Sequence, residues 1–253
     1  MDWTIRCLHE AQLHERNSFI TLTYGRGQLP PHGSLRHEDF QLFLKRLRKR
    51  TPSGVRYYMC GEYGPLNQRP HYHANLFGVD FREDWKPQGK SKSGQIFYTS
   101  KTLEQLWGLG NVSVQPLTPQ TAAYTAQYIA SKLTGDAGKH AYTVTDPETG
   151  EVFHKDPPYA AMSLKPGLGA DWYERHAHDV HRHDYCIIDG QKRAPPRFYD
   201  ILLKRRPDLD PDRIEHERQK RAAQAAPDNT PERLAVREAV HEARNRNKLR
   251  ELT

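Results

Sequence analysis

The stretch HYHANLFG, residues 71–78, decides how this chain is to be read. Its alternation sets Tyr72, Ala74 and Leu76 on one face of a strand, facing a core, and His71, His73 and Asn75 on the other. The two imidazoles then leave the sheet on one side, about 7 Å apart along the backbone. Upstream, VRYYMC at residues 55–60 reads as a second strand, and the loop GEYGPLNQRP that joins it to the first carries Glu62 at the strand's end. Two histidines and a carboxylate so placed can hold a divalent ion, and the oxygen ligand suits a hard one, Mg²⁺ or Mn²⁺. Two surface histidines in a chain with 14 histidines would give the same pattern.

Working outward, NSFITLTY at residues 17–24 alternates Ile20, Leu22 and Tyr24 against Phe19, Thr21 and Thr23, a strand of β-branched and aromatic residues. After the turn-rich GRGQLPPHG, Ser34 is placed to cap a helix in which Phe40, Phe43, Leu44 and Leu47 recur at helical spacing. That helix ends in KRLRKR, residues 45–50. Lys45, Arg46, Arg48, Lys49 and Arg50 suit the negative end of the helix, as a solvated terminus or as a patch that contacts phosphates. Arg69 and Asn75, on either side of the histidines, are further candidate nucleic-acid contacts. Beyond HYHANLFG come a Gly/Lys/Ser-rich loop, a short helix at 103–107, a strand NVSVQ at 111–115, and a helix opened by Thr118-Pro119 that runs through Leu133.

The order is β-α-β-β-α-β, an α+β class with a split antiparallel sheet and helices packed on one face. Residues 1–135 make this core, 136–206 an irregular extension packed on it, and 207–253 a charged tail, helical or partly disordered. In the tail, Asp210-Pro211 and Thr230-Pro231 each look like a cap followed by a first-turn proline.

Composition narrows the function. The 253 residues hold 38 Lys+Arg against 31 Asp+Glu, a net charge of +7, which favours nucleic acid or an anionic membrane surface but only weakly on its own. No stretch approaches the roughly 18 to 20 apolar residues of a membrane-spanning helix. The charged start MDWTIRCLHEAQLHER lacks the apolar core of a signal peptide. Three cysteines without CxxC spacing make neither a disulfide framework nor a zinc finger and fit a reducing cytoplasm. The run RHAHDVHRHDY, with His176, His178, His181 and His183, reads as polar surface rather than a zinc site.

The helix of residues 119–133 adds a second set of chemistry. Ala122, Ala126, Ile129, Ala130 and Leu133 form a buried stripe, while Tyr124, Tyr128 and Lys132 recur at i, i+4 and i+8 in a separate row. Such a row is either a packing surface or a nucleophile set. A phenol with a pKa near 10 attacks poorly at neutral pH unless a metal polarises the phosphodiester and a lysine favours the phenolate or holds the phosphate.

These motifs together resemble the replication initiators of gokushovirus-like microviruses, within the HUH endonuclease superfamily. The resemblance is carried by FITLTY (19–24), FQLFLKRLRKR (40–50), YYMCGEYG (57–64), RPHYHANLFG (69–78), LEQLWGLGNV (103–112), AAYTAQYIASKLTG (122–135) and MSLKPGLGADW (162–172), and it spans roughly residues 3–206. It implies an HUH endonuclease with DNA nicking and joining activity that cuts one strand at a phage origin. Such an enzyme keeps the 5′ end as a phosphotyrosine and leaves a 3′-OH to prime rolling-circle synthesis in the bacterial cytoplasm. Carried over by motif, His71 and His73 are metal ligands with Glu62 as the third, and Tyr124, Tyr128 and Lys132 are catalytic. The family commonly carries a Cys-rich segment upstream of the WTIRCLHE region at residues 3–10; a chain without it would nick while recognising its origin poorly. No GxxxxGK[ST] signature is present, so strand separation falls to supercoiling or a host helicase, and synthesis to a host polymerase. Two other readings fit part of the pattern: a non-enzymatic single-strand nucleic-acid binder, and an HUH relaxase or transposase of another element.

Overall fold

The computed structural model describes residues 1–52, 54–64, 67–91, 94–130, 138, 141–145 and 149–252, with the side chains of 128–130 and 245–252 outside that description. It divides into two compact units, residues 1–89 with 96–172, and residues 90–95 with 173–253.

The first unit is organised by β1 (Asn17–Tyr24), where alternation buries Ile20, Leu22 and Tyr24 completely. The further strands are β2 (Arg56–Tyr63), β3 (Pro70–Phe77), β4 (Trp85–Lys90), β5 (Ile96–Ser100), β6 (Gly110–Pro116), a small hairpin of β7 (Thr143–Thr145) and β8 (Val152–His154), and β9 (Tyr159–Met162). Seven of them form one sheet in the order β4-β5-β6-β1-β3-β2-β9. β1 lies antiparallel between β3 and β6, and β2 antiparallel between β3 and β9.

The α+β class and the antiparallel sheet are as expected, and the helices fill two layers. Helices α2 (His37–Arg50) and α3 (Lys101–Trp107) cover the expected face, burying Phe40, Phe43, Leu44, Leu47, Leu103 and Trp107 against Ile20, Leu22, Tyr72 and Ala74. On the other face, α1 (Asp2–Ala11) and α4 (Pro119–Ala130) bring Cys7 and Ala122 against Tyr58 and Phe77. The sequence reading leaves α1 unassigned because this helix buries Thr4, Arg6, His9 and Glu10 beside Ile5 and Cys7, so its inner face carries no clean apolar periodicity.

Buried polar groups fix α2 to the sheet. The Tyr24 hydroxyl donates to Asp39 at 2.7 Å, and the Tyr72 hydroxyl donates to the Arg36 carbonyl at 2.7 Å. The Arg36 N–H donates back to Tyr72 at 3.0 Å, which holds the chain extended before α2. Ser34 is therefore not the cap: α2 starts at His37 behind Arg36 without a side-chain cap, and the Ser34 hydroxyl accepts from the Asp156 N–H instead. The expected loop after β3 contains the β4–β5 hairpin, in which Trp85 stacks on Tyr98 at 4.6 Å. The exposed KPQGK segment gives β4 no alternation to read.

In the second unit, α5 (Ala170–His183, its residues from 173 onward) precedes the hairpin of β10 (Cys186–Ile188) and β11 (Gln191–Arg193), then α6 (Arg197–Leu203), α7 (Pro211–Ala225) and α8 (Pro231–Leu252). Both tail helices begin at the expected caps: Asp210 accepts from the Arg213 N–H, and Thr230 from the Arg233 N–H. Of the four clustered histidines, His178 and His183 are exposed, whereas His181 is buried and hydrogen-bonded to Tyr173 at 3.0 Å, which corrects its reading as surface. No helix among the described residues is long and apolar enough to cross a membrane.

The first unit generates two tests of stability. Glu10 is buried and accepts from Arg56, His14 and the Gly169 N–H; burial raises its carboxyl, but these partners outweigh that and hold it below its ordinary value. Its contribution is complete above the unfolded value of about 4.3 and is lost as pH falls through the folded one. Glu10→Gln should cost about 3 kcal/mol at neutral pH. Urea titrations should show the gap to wild type closing below about pH 4; a gap independent of pH would contradict the assignment. At Gly110, φ is +149° and a Cβ would lie 2.1 Å from the Gly25 nitrogen. Gly110→Ala should destabilise by about 2–4 kcal/mol in the same titration, and an unchanged midpoint would show that the β1–β6 junction can shift.

Candidate metal centre

Pairing of β2 with β3 sets Glu62 across from His71 and Cys60 across from His73, all on the sheet face away from α2. Glu62 Oε1 lies 2.7 Å from His71 Nε2 and 3.0 Å from His73 Nε2. The remaining ring nitrogens are held in place. His71 Nδ1 lies 3.1 Å from the Arg69 carbonyl, and His73 Nδ1 lies 2.9 Å from the Thr21 hydroxyl.

The His71 contacts limit what can occupy this site. A carbonyl only accepts, so the Arg69 contact puts the proton of a neutral His71 on Nδ1. Its Nε2 lone pair then points at a carboxylate oxygen, and the approach is favourable only with a proton or a cation between them. Glu62 Oε2 is buried without a hydrogen-bond partner. The three ligand atoms lie within 4.8 Å of one another, and this is the one such group found among the described residues. An N/N/O donor set with an unsatisfied carboxylate oxygen fits a divalent ion, and the second contacts of the two rings are of the kind that orient ligating histidines.

Electrostatics point the same way. Burial raises the Glu62 carboxyl, but the hydrogen bonds to His71 and His73 outweigh it and keep the group below its ordinary value, hence ionised. Burial pushes the His73 imidazole down against the pull of Glu62, favouring the neutral form that binds metals.

Helix α4 brings its aromatic row to this centre. Thr118 caps it, its hydroxyl accepting from the Thr121 N–H at 3.2 Å. Further along the helix, the Tyr124 ring stands edge-on to His73, with centroids 4.9 Å apart, and edge-on to Phe19 at 6.0 Å. Phe19 in turn stacks on His73 at 5.6 Å. Tyr124 and the HxH pair, far apart in the chain, are thus brought together by the fold. Tyr128 follows one turn later in α4 with its side chain outside the described residues, and Lys132 lies outside them altogether.

The residues expected to contact nucleic acid divide differently. Arg69 is half-buried and adjoins His71 through its carbonyl. Asn75 is fully buried beneath α4, within 3.5 Å of the Thr125 hydroxyl, and has no surface to offer a ligand. The basic run of α2 sits across the sheet from the histidines. Arg48 lies over the Tyr57 ring, and Tyr57 pairs with Leu76, five positions and about 17 Å along β3 from His71. Arg46 donates to the carbonyls of Leu106 and Trp107 at 2.7 and 2.9 Å, closing the end of α3. Lys45, Lys49 and Arg50 are exposed on the same helix. The reading of the sequence missed Thr21 and Phe19 as parts of the site. Their signal was present in FITLTY, where alternation sets both opposite the core face.

Comparison with known proteins follows the same residues. Residues 17–133 match the family described as replication-associated protein ORF2. The chain is 32% identical over 212 residues to replication-associated protein VP4 of Bdellovibrio phage phiMH2K, covering 79% of this chain and 62% of VP4. It is 28% identical over 217 residues to replication-associated protein ORF2 of Spiroplasma virus 4, covering 81% of this chain and 63% of ORF2. It is 25% identical over 218 residues to replication-associated protein ORF4 of Chlamydia phage 1, covering 81% of this chain and 50% of ORF4. The chain thus spans less than two thirds of the length of each of these relatives. No solved structure gives a significant match. The resemblance read from the sequence is borne out, and the chain is a relative of the phage replication-associated proteins.

Proposed function

We propose that this chain is a metal-dependent, site-specific endonuclease of the HUH type that nicks and rejoins single-stranded DNA at a phage origin and so initiates rolling-circle replication. One observation carries the reading: the Tyr124 ring packs against His73, whose Nε2 converges with that of His71 on Glu62. A candidate nucleophile and a candidate metal centre therefore share one ring contact. The match to phage replication-associated proteins supports the same reading.

Glu62, His71 and His73 would hold Mg²⁺ or Mn²⁺, and a bound ion supplies polarisation of the scissile phosphodiester and offsets charge in its transition state. The phenol oxygen of Tyr124, or of Tyr128 one turn on, attacks phosphorus. The P–O3′ bond breaks, the 5′ strand stays on the enzyme as a phosphotyrosine, and the departing oxygen becomes a 3′-OH, gaining the proton that the phenol loses. Lys132, further along the row, favours the phenolate or holds the phosphate. Arg69 beside His71 is placed to meet the incoming strand. The second tyrosine permits a second transfer while the first holds its DNA end. In the host cytoplasm a helicase and a polymerase would complete the reaction sequence.

A denaturing gel with intact-mass analysis, using single-stranded origin DNA with Mn²⁺, Mg²⁺ or EDTA, tests this directly. A metal-dependent adduct should form with wild type, Tyr124→Phe and Tyr128→Phe, and vanish in the double variant. Binding without cleavage would favour a passive single-strand binder, and adduct in the double variant would place the nucleophile elsewhere. His71→Ala should lower cleavage by about 100-fold or more, since metal charge stabilisation is worth several kcal/mol. DNA affinity should hold, because phosphate contacts elsewhere dominate it. Thr21→Val, which frees His73 Nδ1, should weaken Mn²⁺ binding by about 10- to 100-fold in a paramagnetic-resonance titration; unchanged affinity would remove Thr21 from the site.

A further inference from the structure

At the end of β2 that carries Glu62, a second group of side chains is assembled that the metal centre does not use. His32, in the loop between β1 and α2, has a φ of 56°, a left-handed conformation that non-glycine residues rarely adopt. It is exposed, yet its ring lies flat on Phe153 of β8, with centroids 3.6 Å apart and planes at 21°. Two residues on, the Lys155 ammonium sits 5.2 Å from the centre of the Tyr63 ring. It also lies 3.7 Å from where a side chain on Gly33, the neighbour of His32, would begin. Lys155 is half-buried and has no carboxylate in ion-pair range among the described residues, and burial alone holds its amine below its ordinary value. Tyr63 is pinned, accepting from the Leu35 N–H at 3.0 Å and donating to the Asp156 carbonyl at 2.7 Å.

A hairpin staple would need the ring contact alone. The cation without a partner calls for an anion, and an exposed, backed aromatic face calls for a flat apolar group beside it. A nucleotide supplies both, and stacking on a π face is tolerant of base identity. We infer that His32 backed by Phe153 and Lys155 over Tyr63 form a nucleotide subsite, in which one base of single-stranded DNA stacks on His32 and an adjoining phosphate accepts from Lys155. This rests on the proposed function for the class of ligand. Tyr63 directly follows Glu62, and alternation turns its side chain to the opposite sheet face. A strand engaging both sites therefore bends over the end of β2, and the subsite holds DNA on one side of the point where it is cut.

The test is binding of a fluorescent oligothymidylate to the full chain in EDTA, where no cleavage occurs, together with adduct formation in Mn²⁺. The variants are His32→Gly, whose backbone suits the positive φ, Phe153→Leu and Lys155→Gln. His32→Gly and Phe153→Leu should weaken binding by about 5- to 100-fold, the loss of one base stack. Lys155→Gln should lower the slope of log affinity against log salt by about 0.7. Adduct formation at saturating DNA should stay within about twofold of wild type, since the loss is of uniform binding. If wild type binds and nicks while the variants bind as tightly with the same slope, the subsite is wrong and the proposed function stands. If wild type neither binds nor nicks single-stranded DNA, the proposed function fails and the subsite falls with it. Should a ring variant melt early, the salt slope of Lys155→Gln decides the matter.

Discussion

Glu62 stands across from His71 in the β2–β3 ladder, and every other feature of the centre follows from that register. A strand has a side-chain period of two, so a slip of one residue would turn His71 and His73 into the α2 layer and leave Glu62 facing core. The register is held from both sides of β3. On one side Cys60 pairs with His73, and on the other Thr21 does, which brings the hydroxyl that holds Nδ1. Gly61 lets β2 pass between its neighbours, since a Cβ there would lie 3.0 Å from Tyr159 and 3.1 Å from Leu35.

Burial makes this arrangement consequential. Glu62 and His73 are 3% and 5% exposed, so a carboxylate charge is kept in a place where its cost must be offset by partners. Two imidazoles supply part of the offset through one oxygen, while the second oxygen has no hydrogen bond. A protein that needed only structural stability would gain little from this grouping, because an apolar trio of the same volume is often as stable. The packing of Phe19 and Tyr124 around His73 fixes the ring and carries α4 to the metal-facing side of the sheet.

Much of this was legible in the residues. The HxH spacing, the position of Glu62, the strand of residues 17–24 and the caps at Thr118, Asp210 and Thr230 are local signals, each set by alternation or by the hydrogen bond of a capping side chain. What was hidden depended on tertiary contacts. α1 conceals its inward face because its buried residues are largely polar, and β4 is an edge strand with nothing to bury. Ser34 has the right chemistry for a cap, but the pull of Leu35 into the core and of Arg36 onto Tyr72 delays the helix. Asn75 shares the face of His73, yet alternation cannot show that α4 seals that end of it. The basic end of α2 could be read as a patch, but only the packing of Phe40 and Leu44 reveals that it lies across the sheet from the histidines.

The central claim is that Glu62, His71 and His73 together hold a divalent ion beside Tyr124. Anomalous diffraction from crystals of the chain soaked in Mn²⁺ tests it without reference to activity. The account predicts a single strong peak in direct contact with the Nε2 atoms of both histidines and with Glu62, absent in crystals of Glu62→Gln. A peak at another set of side chains, or none at this centre while the histidines keep their present geometry, would contradict it.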